Sequence, residues 1–111
     1  MITKKNIEKA VVKHFMVSIV DLYSTKKEYP LNGARSVLMY MLYSYKVKKI
    51  YEITYLFGYN SQRTVEMRIA KVASAVKTGY NKFAEDVEKI NRMLTKKKIK
   101  LWQNRKQDLS H

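Results

Sequence analysis

The 111-residue chain has no cysteine, one proline, three glycines and only nine acidic residues. Without cysteine, disulfides, thiolate metal sites and cysteine nucleophiles are excluded together; this fits a reducing interior, though many secreted proteins lack cysteine too. So few chain breakers favour a helical architecture over a turn-rich sheet protein. Long uninterrupted apolar runs are missing too. The opening stretch MITKKNIEKAVVKHF sets lysines among its apolar residues, which predicts neither a signal peptide nor a membrane span. A cytosolic protein without a membrane partner is expected.

Catalytic inventory is equally thin. The two histidines, His14 and His111, lie far apart in sequence and offer no three- or four-ligand metal set. His14 beside Phe15 reads as a partly exposed helix residue. Glu85, Asp86 and Glu88 read as a solvated helix face rather than a Mg²⁺ site. There is no GxxxxGK[ST] phosphate cradle. The nine tyrosines read as amphipathic packing at the rim of a small core. The expectation is a protein that is not an enzyme and takes no cofactor or metal.

What the chain has in quantity is positive charge: 23 Lys and Arg against the nine acids, a net charge of +14. A surface that repels itself so strongly is best balanced by a polyanion. Nucleic acid is the first candidate and an anionic membrane the second; a basic surface kept for solubility is the alternative. The hydrophobic fraction of 46% suits one domain with a single modest core.

Helical periodicity predicts about six helices and an all-α fold. The first runs from about Lys4 to Phe15 with Thr3 as N-cap. A short second helix lies in SIVDLYS, where Ser18 and Asp21 have capping-box spacing. TKKEYPLNG, residues 25 to 33, is read as a loop, with a central buried helix starting near Ala34. A short helix at 49 to 57 ends at Gly58. The next, 61 to 78, has Asn60 or Ser61 as its cap and ends at Gly79, with an inner stripe of Val65, Ile69, Val72 and Val76. The last carries Tyr80, Phe83, Val87, Ile90 and Leu94. A domain over residues 1–94 and a basic tail over 95–111 result.

Residues 49 to 76 thus read as a helix-turn-helix. Arg63, Met67, Ala70 and Ser74 fall opposite the apolar stripe of the second helix, flanked by Gln62, Glu66 and Lys71. Polar and small residues there suit an element that enters the major groove. The free amides near Gln62 and Arg63 suit a phosphate oxygen, while Lys46, Lys48 and Lys49 precede the first helix of the pair. Met67 reads either as a contact to a thymine methyl or as packing against the last helix, with packing favoured.

The order of segments resembles the DNA-binding C-terminal domain of the bacterial replication initiator DnaA, a six-helix relative of the Trp repressor fold, over about residues 3 to 94. SIVDLYS stands in the place of that family's V-x-D-L-L-S helix, and ARSVLMYML in the place of the helix opening with P-R-Q. IYEITYLFG matches its L-x-E-I-x-x-x-F-G helix, and GYNSQRTV its G-G-R-D-H-T-T-V signature. Gly58, Thr64 and Val65 agree with that signature, while Ser61, Gln62 and Arg63 replace the Asp-His-Thr that reads base edges. The family's minor-groove arginine falls near Gly33; Arg35 matches the arginine after it.

The resemblance implies double-stranded DNA binding with an altered sequence preference. Gln62 and Arg63 are expected to read bases. Ser61, Thr64, Arg35, Lys26, Lys27, Lys48, Lys49 and Lys71 are expected to hold the backbone. Lacking the ATPase domain that precedes this module in the family, the chain is expected to act as a phage or mobile-element regulator of replication or transcription. Other readings are an architectural or packaging DNA binder, an RNA binder stacking bases on Tyr29, Tyr59 and Trp102, and a protein-interaction module such as an inhibitor.

Overall fold

A computed structural model describes residues 1–79 and 81–95. Within these the fold is all-α, with six helices and no strand. They are α1 (Lys4–Phe15), α2 (Ile19–Leu22), α3 (Leu31–Ser44), α4 (Ile50–Phe57), α5 (Gln62–Thr78) and α6 (residues 82–95). The expected tail beyond residue 95, including Trp102, lies outside the described residues, as does Tyr80.

Local chemistry sets most of the helix ends. The Thr3 hydroxyl accepts from the Asn6 amide at 3.2 Å, and Asn6 Oδ1 accepts in return from the Thr3 amide at 3.1 Å, so two otherwise orphaned donors of α1 are satisfied. Ser18 Oγ accepts from the Asp21 amide at 3.0 Å. The Asp21 carboxylate, expected to complete that box, turns instead to the Lys26 ammonium at 3.2 Å. Gly58 and Gly79 end α4 and α5 at φ of 69° and 66°, a left-handed backbone that only glycine adopts without steric cost. Ser61 caps α5, its Oγ accepting from the Arg63 amide at 3.1 Å.

One boundary differs from the sequence reading. α3 begins at Leu31 rather than near Ala34, taking Asn32 and Gly33 into its first turn. Pro30 at the boundary needs no amide partner, and Leu31 is buried. Burying a leucine gains about 1.5–3 kcal/mol, more than the roughly 1 kcal/mol that a helical glycine costs.

The core forms around α3, which packs against α1, α2, α4 and α5. Val37, Leu38, Met39, Met41 and Leu42 of α3 are fully buried, meeting Ile7 and Val11 of α1, Ile53 of α4, Val65 and Val72 of α5, and Ile90 of α6. The inner stripe of α5 carries Ala75 as its last buried member, with Val76 at the margin.

Charged groups also enter this interior. Asp86, expected on a solvated face, is buried, and its Oδ1 lies 2.8 Å from His14 Nε2. That bond ties α6 to α1 and gives His14 the carboxylate partner that sequence distance concealed. The Tyr45 hydroxyl donates to Asn91 Oδ1 at 2.7 Å, fastening the end of α3 to α6. Tyr23 donates to the Glu8 carboxylate. Burial first, and the Glu8 bond second, push its phenol well above the ordinary tyrosine range, so it remains a neutral donor.

Candidate nucleic-acid interface

α4, the four-residue turn 58–61 and α5 form the expected helix-turn-helix. The phase of α5 is fixed by burial of Val65, Ile69, Val72 and Ala75. Helical geometry then turns Arg63, Met67, Ala70 and Ser74 outward, and all four are exposed. Met67 is 62% exposed, which corrects the expectation that it packs against the last helix: it lies diametrically opposite Val65 and Ile69.

Arg68, at the edge of the buried stripe, locks this orientation. Its guanidinium donates to Asn32 O and Ser36 Oγ of α3 at 3.3 and 3.2 Å, and to Asn32 Oδ1. It also lies 5.8 Å from the centre of the Tyr59 ring. The same guanidinium therefore grips the turn of the motif and the start of α3.

Ser61, Gln62, Arg63 and Thr64 are all exposed at the start of α5, whose first turn holds no acidic residue. No acidic side chain offsets the helix dipole there, so beside the Ser61 cap this end favours an anion. Gln62 further lines a surface pocket of about 660 Å³ together with Lys46, Lys48, Lys49, Ile50 and Tyr51. The structure thus brings one expected base reader beside two expected backbone lysines.

The turn between α3 and α4 holds those lysines in place. Lys46 adopts a left-handed backbone at φ 59°. The amides of Val47 and Lys48 then fold back onto the Leu42 carbonyl at 2.9 and 3.1 Å. Glu52 Oε1 accepts from the Lys49 amide at 2.8 Å and closes the N-terminus of α4. Among the described residues, Lys27, Lys48, Lys49, Lys71 and Arg63 have no carboxylate within 4.0 Å. Lys26 pairs with Asp21 at the surface, an exposed contact worth little and readily exchanged.

Arg35 departs from the expected set. It is only 5% exposed, and its Nε and Nη2 donate to the carbonyls of Leu22 and Asp21 at 2.8 and 3.0 Å. Its place on the DNA backbone is therefore corrected: the guanidinium is spent on the end of α2, whose carbonyls have no helical partners of their own. Helical spacing from Leu31, Leu38 and Leu42 signals this inner position. Of the aromatics considered for RNA stacking, Tyr59 is half-buried and stacks on Phe57 at 5.9 Å. Tyr29 stands 82% exposed, with Lys82 Nζ donating to its hydroxyl at 2.8 Å. Trp102 lies outside the described residues.

Among the described residues no group of three or more metal-ligating side chains occurs, and no helix is long and apolar enough to cross a membrane.

No protein-family model matches the chain. Individual proteins do. The chain is 29% identical over 93 residues to the chromosomal replication initiator protein DnaA of Ehrlichia ruminantium, covering 84% of this chain and 20% of that protein. It is 32% identical over 73 residues to DnaA of Herminiimonas arsenicoxydans, covering 66% and 16%. It is 26% identical over 92 residues to DnaA of Wolbachia pipientis wMel, covering 83% and 20%. The chain spans about a fifth of the length of the curated relatives it matches. Over most of its length, then, the chain is similar to a segment of DnaA that has the size of that initiator's C-terminal domain.

Proposed function

We propose that the protein binds double-stranded DNA by placing the start of α5 in the major groove. The observation that carries this reading is the cluster at that helix end: exposed Gln62 and Arg63 in a first turn without an acidic residue, adjoining Lys46, Lys48 and Lys49. The kinship with DnaA supports duplex DNA as the polyanion and replication as the setting. Gln62 and Arg63 read base edges, since a glutamine pairs two-fold with adenine and an arginine with guanine. Ser61, Thr64, Lys26, Lys27, Lys48, Lys49 and Lys71 take phosphates and set register without carrying sequence information.

Ser61-Gln62-Arg63 stands where the DnaA signature has Asp-His-Thr. That replacement favours a site other than the initiator's own box, and with it a regulator of replication or transcription in a phage or mobile element.

Lysine contacts and base contacts separate by salt. Lys48→Ala is expected to weaken binding to matched and random duplexes alike, by roughly threefold to tenfold at low salt. It should flatten the plot of log affinity against log salt by about 0.9, the release of one counterion. Fluorescence anisotropy with both duplexes across a salt series measures this. A loss confined to one sequence, or an unchanged slope, contradicts the backbone role.

A further inference from the structure

The outer face of α4 carries features that major-groove binding leaves unused. Tyr51 and Tyr55 are 57% and 89% exposed. They lie opposite buried Ile53 and, four residues apart, are neighbours on one helix face. A second surface pocket, of about 520 Å³, is lined by both tyrosines with Lys4, Lys48, Glu52 and Leu56. Tyr51 and Lys48 also line the pocket that holds Gln62, so the two hollows are neighbours that share these residues.

Among the described residues neither the Tyr51 nor the Tyr55 hydroxyl has a hydrogen-bond partner, whereas Tyr23 and Tyr45 on the inner side are bonded to Glu8 and Asn91. Exposed aromatic faces beside cations are what an unpaired base and its phosphate require, because every base has a stacking face. Lys48 has no carboxylate partner among the described residues, and Lys4 shares Glu8 at 3.3 Å in an exchangeable surface pair. Glu52, which lines the second hollow, is engaged with the Lys49 amide at the helix start. A duplex cannot stack bases on these two rings, since its bases are stacked on one another.

The geometry points to a second binding site, for single-stranded nucleic acid, in which Tyr51 and Tyr55 stack successive bases and Lys48 and Lys4 hold the phosphates. It adjoins the duplex site through Lys48 and Gln62, so the protein grips a junction where one strand leaves the double helix. The inference extends the duplex reading but is tested apart from it.

Anisotropy with a labelled 20-nucleotide oligothymidine and with a labelled duplex, at two salt concentrations, provides the test. Tyr55→Ala is expected to lower single-strand affinity about tenfold, the scale of one lost base stack, and to leave duplex affinity within about twofold. Tyr55→Phe is expected to retain single-strand binding, because the ring and not the hydroxyl is used. Arg63→Ala is expected to leave single-strand affinity nearly unchanged, so failure of the duplex reading and of this one are distinguishable. Tyr55 is on the surface, and circular dichroism verifies the fold of each variant. Absence of single-strand binding, a Tyr55→Ala variant that binds as well as the parent, or equal losses on both ligands would overturn the site.

Discussion

Replacing Arg35 with alanine is expected to lower the free energy of unfolding by about 2–4 kcal/mol, seen as a reduced urea midpoint. The position is a buried cation tied to two backbone carbonyls of α2. α2 has only four residues, so it has little helical bonding with which to hold itself. The Asp21 carbonyl retains Ser24 as a partner, whose Oγ donates at 2.7 Å. The Leu22 carbonyl has Arg35 as its side-chain donor, and leaving a buried acceptor unpaired costs about 1–3 kcal/mol. The rest is the packing of the aliphatic stem. Arg35→Met keeps that stem and removes the donors, so it is expected to recover roughly 1 kcal/mol of the loss. A small domain with about 5–15 kcal/mol in total is strongly weakened by such a change. Duplex affinity of the folded Arg35→Met protein should stay within about twofold of the parent. A tenfold fall in affinity at unchanged stability would return Arg35 to the phosphate-contacting set.

The second large effect falls on recognition. Arg63→Ala is expected to erase about 1–3 kcal/mol of preference for a matched duplex over a random one, a factor of about five to 150. Random-duplex affinity should fall only by the share of one cation. Two features place the effect at this residue. Its side chain is exposed on the face opposite the buried stripe of α5, and its amide is already held by Ser61, so removal of the side chain leaves the cap intact. Arg68→Ala, by contrast, would release the helix from Asn32 and Ser36; a loss there would report orientation rather than reading. Parallel losses on matched and random duplexes for Arg63→Ala would remove it from the base-reading role.

Helix ends were legible wherever a local rule sets them. Thr3, Gly58, Ser61 and Gly79 each act through neighbours within three or four residues, and each stands where its cap was expected. The start of α3 was not, because Leu31 is drawn into the helix by a core assembled from distant segments. The same distinction runs through the site. The outward phase of Arg63 follows from the valine and isoleucine spacing of α5. The burial of Arg35 and Asp86 was missed because charge was read as a sign of solvent. Their spacing already placed them inside: Arg35 with Leu31 and Leu38, Asp86 with Ile90. What periodicity could not reveal is pairing across the fold. His14 and Asp86 are 72 residues apart, and Arg68 and Asn32 are 36 apart; only the packing of α1, α3, α5 and α6 brings these groups together. Met67 shows the converse, an apolar residue turned outward because its neighbours decide the helix phase.

The most direct measurement is selection of bound sequences from a random duplex pool at low and moderate salt, run in parallel on the parent protein and on Arg63→Ala. With α5 in the major groove, the parent enriches a defined motif at both salts, and the variant loses preference at one or two adjacent positions, a guanine among them. Failure of the parent to bind any duplex at low salt, or recovery of an identical motif by Arg63→Ala, would contradict the account.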